Sequence, residues 1–174
     1  MSLEFVAFRK GVGNDETVWE APRYEVPFIQ VSRANLGNPP PEYHSSDDSA
    51  DLMSHDLLNE CFELFKMVIN VLETNVTCKR KFSGLISLSN PKYDLCRMRI
   101  DPAVNGSSLS DETERWGHFQ DCVVFYLDGS HTVLDMAERH DLPYFDVLVY
   151  LAKIRDKSLV EFYSAPHRFS NANY

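Results

Sequence analysis

The run from Leu57 to Leu72 constrains the folding of this chain more than any other. Leu57, Leu58, Cys61, Phe62, Leu64, Phe65, Val68, Ile69, Val71 and Leu72 recur at helical spacing, and together they demand a broad apolar neighbour. Ser54 stands where it can cap a helix beginning near His55 or Asp56. Glu60, Glu63, Lys66 and Asn70 fall on the polar side. Upstream there is little to cover such a face. Gly11 to Asp15 reads as a loop, with Asp15 and Glu16 at a turn. Val26 to Ser32 reads as a strand with Pro27 near its start, and Ala34 to Pro41 as a loop. Such short elements and one helix cannot enclose this stripe. The domain containing it is therefore expected to be incomplete here, with its other layers supplied by a partner chain, a second copy, or further polypeptide of a longer protein.

Beyond Glu73 the periodicity weakens. Residues 78–110 contain Pro91, Pro102, Gly84 and Gly106 and read as a linker with short ordered pieces, the hinge lying at Asn105 to Ser110. A second pattern starts at Asp111. Trp116, Phe119, Val123, Val124, Tyr126 and Leu127 mark a helix that ends at an Asp128-Gly129 turn. A shorter helix, capped by Ser130 or Thr132, buries Val133, Leu134, Met136 and Ala137. Asp141-Leu142-Pro143 turns the chain into a third helix, about Tyr144 to Lys157, expected to bury Phe145, Leu148, Val149, Leu151, Ala152 and Ile154. Leu159 to Tyr163 reads as a strand. Helix, helix, turn, helix and strand is the order of a winged helix-turn-helix.

Two domains follow, at 1–104 and 111–165. The fold class is α/β, an incomplete α/β segment followed by an α+β winged helix-turn-helix module.

Composition narrows the function. The net charge of -9 opposes broad attraction to nucleic acid or anionic membrane. Between Glu112 and Tyr163 there are ten acidic and five basic residues, so Lys153, Arg155 and Lys157 on the third helix stand in a field of the wrong sign for DNA. No apolar run reaches the roughly 18 residues that a membrane helix needs, and Met1 to Lys10 lacks a signal-peptide pattern. The expected setting is cytoplasmic. Cys61, Cys78, Cys96 and Cys122 form no Cys-x-x-Cys pair and read as reduced, structural thiols.

The most informative polar cluster is Glu42-Tyr43-His44-Ser45-Ser46-Asp47-Asp48. A neutral imidazole is a first-choice zinc ligand, but one ligand cannot hold the ion by itself. Tyr43-His44-Ser45-Ser46-Asp47-Asp48-Ser49-Ala50-Asp51-Leu52-Met53 resembles the Tyr-His-Thr-Ser-x-Asp-x-x-Asp-Leu-Ile stretch of a bacterial zinc-aminopeptidase-like family of the DUF4910 and DUF2172 type. Gly13-Asn14-Asp15-Glu16, then Trp19, Pro22 and Val26-Pro27, resemble that family's preceding segment, and Lys79 to Gly84 with Leu88-Ser89 its following one. The resemblance covers about residues 5 to 163, including the winged-helix end.

The resemblance implies a di-zinc hydrolase in which metal-bound water attacks a peptide carbonyl and a glutamate serves as general base. His44 matches a metal ligand, Asp48 and Tyr43 match residues beside it, and Asp15 and Glu16 match a turn lining the site. The family's other ligands and its catalytic glutamate have no counterpart in Met1 to Asn14. No catalytic residue is therefore assigned, and the chain is expected to be inactive by itself. The alternative is a non-catalytic interaction module built on the winged helix. His55, His118, His131 and His140 read as capping, solvated or core histidines rather than ligands, and Ser130-His131 as no nucleophilic triad.

Overall fold

The computed structural model describes residues 16–19, 21–24, 26, 28, 31, 41–96 and 110–165. The chain divides into two compact units, Met1–Glu60 and Cys61–Tyr174. In the first, a short helix α1 (Glu16–Trp19) is followed by a turn in which the Val26 N–H donates to the Trp19 carbonyl. Of the strand expected at 26–32, Val26, Phe28 and Val31 are described and lie in irregular chain. The rest of that segment lies outside the described residues. A single 3-10 turn (Ala50–Leu52) leads to α2 (His55–Thr74), which starts where Ser54 Oγ accepts from the Leu57 N–H at 3.4 Å. None of the twenty residues of α2 is buried.

Thr74 ends α2 with its hydroxyl bonded back to the Asn70 carbonyl and 3.1 Å from the Tyr144 hydroxyl. The chain then enters β1 (Val76–Arg80). The second unit continues with α3 (Asp111–Tyr126), β2 (Asp128–Thr132), α4 (Val133–Arg139), α5 (Tyr144–Asp156) and β3 (Val160–Ser164). Its sheet is antiparallel in the order β2-β1-β3. The linker read from the sequence at 78–110 begins inside β1. The strand is instead the middle one, paired in unbroken register with β3 from Val76↔Ser164 to Arg80↔Val160. The β-branched pair Val76-Thr77 suits the start of a strand; the segment is too short for its period to stand out in the sequence.

Asp128-Gly129 also departs from the expected turn, for it opens β2. Pairing with β1 slips between Thr77↔Thr132 and Lys79↔Asp128, and Gly129, at φ +90°, supplies the left-handed backbone this bulge needs. Thr132 and Asp135 then form a reciprocal capping box on α4, at 3.1 and 2.8 Å. Asn75 Oδ1 takes the next free donor, the Leu134 N–H, at 3.1 Å. The residue joining α2 to β1 thus helps to cap α4.

The three helices share one core with the sheet. Phe119 and Val123 from α3, Leu127 just after it, Val133 and Met136 from α4, Val147, Leu151 and Ile154 from α5, and Cys78 from β1 are essentially inaccessible. On α5 the buried stripe is Val147, Tyr150, Leu151 and Ile154. Phe145 and Val149, expected inside, are 41% and 56% exposed, because the side of the helix that packs against its neighbours carries Val147, Tyr150, Leu151 and Ile154 instead. Gln120 Nε2 donates to the Leu95 carbonyl at 2.9 Å and to the Tyr150 hydroxyl at 3.0 Å, and Tyr150 donates to the same carbonyl. These bonds tie the loop ending at Leu95 to the core while leaving no member of the trio unsatisfied.

Truncating Phe119 removes a ring enclosed by Trp116, His140 and Tyr150. Phe119→Ala should cost about 3–5 kcal/mol in urea denaturation, whereas Phe125→Ala, on the solvent side of α3, should change stability by less than about 0.5 kcal/mol.

Candidate functional site

The loop holding the family-like motif is a chain of local turns. Ser45 Oγ donates to the Glu42 carbonyl and accepts from the Asp47 N–H. The Asp48 carboxylate accepts from the backbone N–H of His44 at 3.4 Å, so it braces the loop and does not reach the imidazole. His44 itself sits at φ +61° with its ring stacked on Tyr43, centroids 4.0 Å apart, and both side chains are exposed. Glu16 opens α1; Asp15 lies outside the described residues. Among the described residues, no second ligating group stands beside His44 in a set of three or more. The motif offers one imidazole in a stiff turn.

A different set does converge. His118 and Cys122 lie one turn apart on α3, where residues four apart share a face. His140 follows the last residue of α4, its N–H bonded to the Met136 carbonyl. Packing of α4 beside α3 brings His118 Nδ1 and His140 Nδ1 to 3.2 Å, and Cys122 Sγ lies 3.8 Å from His118 Nε2. One ligand atom from each of the three falls within 4.8 Å of the others, and among the described residues this is the one such set. Across the ring of His140, Nε2 is 3.0 Å from the Tyr126 hydroxyl. Burial, and then the neighbouring His118 and Arg139, hold the His140 pKa below the usual imidazole value. The ring therefore stays neutral near pH 7, the form with a lone pair to give.

His118 and His140 had read as unrelated histidines. They are 22 residues apart, so only the α3–α4 contact could reveal the pairing. The His118-x-x-x-Cys122 spacing was the local signal available.

Ser130, His131 and Asp128 also meet, in an order unsuited to nucleophilic catalysis. Ser130 Oγ donates to Asp128 Oδ1 at 2.6 Å, and the same oxygen accepts from the Ser130 N–H at 2.8 Å. His131 Nδ1 lies 2.9 Å from the hydroxyl. The hydroxyl proton is aimed at the carboxylate, so the imidazole cannot draw it off as a general base would. These bonds, led by that from the Ser130 hydroxyl, hold the Asp128 carboxyl below the usual carboxylate range.

Residues 2–75 match a family model described as a domain of unknown function (DUF4910). The matched stretch ends one residue after α2. No curated protein matches the chain, and no solved structure does. No described helix is long and apolar enough to cross a membrane.

All four cysteines are free thiols. Burial pushes Cys78 up to about 12, leaving roughly a ten-thousandth of it ionised at pH 8, and the thiolate is the reactive form. Alkylation of the native chain at pH 8, followed by peptide mapping, should mark exposed Cys96 well before Cys78. Cys78 should react at a comparable rate only after denaturation.

Proposed function

We propose that residues 2–75 form the C-terminal part of a zinc-aminopeptidase-like hydrolase domain whose remaining layers cover the apolar face of α2. In this reading the sheet and helices that follow are an appended winged-helix-type module. The observation that carries it is α2 itself. It lies inside the stretch matched to the family model, yet Phe62, Ile69 and Leu72 are 60%, 56% and 73% exposed. Covering each such side chain is worth about 1.5–3 kcal/mol, and a face of this breadth is the half of a core whose other half lies elsewhere. Four free thiols suit a reducing, cytoplasmic setting.

Zinc fits this part of the chain only in part. His44 is the one candidate ligand, exposed on its loop, and among the described residues nothing completes a coordination shell around it. No hydrolytic step is assigned to these residues, and the chain alone is read as inactive. In light scattering the chain should run larger than a monomer, its α2 faces meeting in place of the missing layers, and Phe62→Lys with Ile69→Lys should return it to monomer. It should not hydrolyse amino-acid 4-nitroanilides with zinc present. A dilute monomer, or turnover by the chain alone, would overturn the reading.

A second reading, a non-catalytic protein-interaction module, rests on the order α3, β2, α4, α5, β3. The third helix is the one a DNA-binding winged helix places in the groove. Here α5 turns Phe145 and Val149 outward, carries Asp146 in its first turn, and engages Arg155 over the Phe162 ring at 4.8 Å. An apolar, acidic leading end suits a protein surface better than phosphate. Mixed-sequence duplex at low ionic strength should produce no mobility shift; a salt-sensitive shift would count against this assignment.

A further inference from the structure

We propose that His118, Cys122 and His140 form a zinc site that fastens α3 to the end of α4. The site is independent of the His44 loop and of any hydrolase activity.

The donor set is the first argument. Two imidazoles and a thiolate suit a borderline-soft cation such as zinc and not magnesium or calcium, which take oxygen ligands. Geometry is the second. With zinc–nitrogen bonds of about 2.0–2.1 Å, two nitrogens at the corners of a tetrahedron stand about 3.3 Å apart. The facing Nδ1 atoms of His118 and His140 are at 3.2 Å. Cys122 Sγ stands 3.8 Å from His118 Nε2, the nitrogen turned away from His140, so the His118 ring or the Cys122 side chain must rotate for the thiolate to join the same ion. The exposed ring of His118 leaves room for that adjustment.

The support behind the ligands is the third argument. Metal-bound imidazoles usually donate their other N–H to a partner that fixes the ring. His140 has such a partner in Tyr126, 3.0 Å from Nε2, with the Phe119 ring against its side. The most buried ligand is thus the most firmly oriented. Its Nδ1 faces the exposed histidine. Three protein ligands leave one tetrahedral position for water or an incoming group, as zinc sites that are not closed do.

Without metal, the same atoms can satisfy one another through hydrogen bonds running from Tyr126 through both histidines to Cys122. Metal uptake separates the two arrangements. The full chain, stripped with chelator under reducing conditions, would be titrated with Zn²⁺ against a chromophoric competitor, and with Co²⁺ followed by absorption. One zinc per chain is expected, with a thiolate-to-cobalt charge-transfer band. Cys122→Ser should abolish the band. His118→Ala should weaken zinc binding at least tenfold, and Tyr126→Phe about 10–100-fold. His44→Ala should change nothing. Because His140→Ala removes a buried ring, the exposed His118 and half-buried Cys122 decide the matter. Failure to take up one equivalent, a cobalt spectrum without the thiolate band, full affinity in Cys122→Ser, or loss of binding in His44→Ala would each overturn the site.

Discussion

The second unit depends on one strand being in the middle. β2 and β3 belong to separate parts of the C-terminal half and do not touch; β1 bonds to both. Removing it would expose two rows of backbone donors and acceptors at once, each costly to leave without a partner. It would also remove Cys78 from the core and separate Asn75 from the start of α4. The helices then have no continuous surface to pack upon. The His118–His140 approach relies on that packing, because it joins α3 to the end of α4.

This placement alters how the chain divides. The sequence separates residues 1–104 from 111–165, with a linker between. In the structure, the strand at 76–80 lies among elements from 128–132 and 160–164. The matched family stretch ends at residue 75, immediately before β1. The order α3, β2, α4, α5, β3 therefore has its sheet completed from upstream, where a winged helix would continue into a further strand.

Elements with long, regular apolar spacing were legible. α2, α3 and α5 follow from their apolar pattern, and the caps Ser54 on α2 and Thr132 on α4 follow from hydroxyl placement. β1 was not, since five residues reading Val-Thr-Cys-Lys-Arg carry no decisive period and their partners lie far along the chain. The buried side of α5 was only half legible: Leu151 and Ile154 sit where expected, but Val147 and Tyr150 replace Phe145 and Val149. The site divides similarly. Tyr43 and His44 stood out as a motif and proved to be a local turn, whereas His118, Cys122 and His140 had no shared motif and proved to be neighbours. Tertiary contact carries that information, and no local rule supplies it.

The central position of β1 also governs when the molecule can fold. Its register with β3 runs from Val76 to Ser164, so the pairing closes a loop containing almost the whole second unit. Contacts of such long sequence separation slow folding, because chain entropy is lost before they form. During synthesis the helices α3, α4 and α5 emerge before the strand that completes their sheet. α2, with its wide apolar face, has by then been waiting longest. Nascent α2 therefore presents its apolar face for the whole time that the sheet takes to close, which makes association of incompletely folded chains a hazard of this element order.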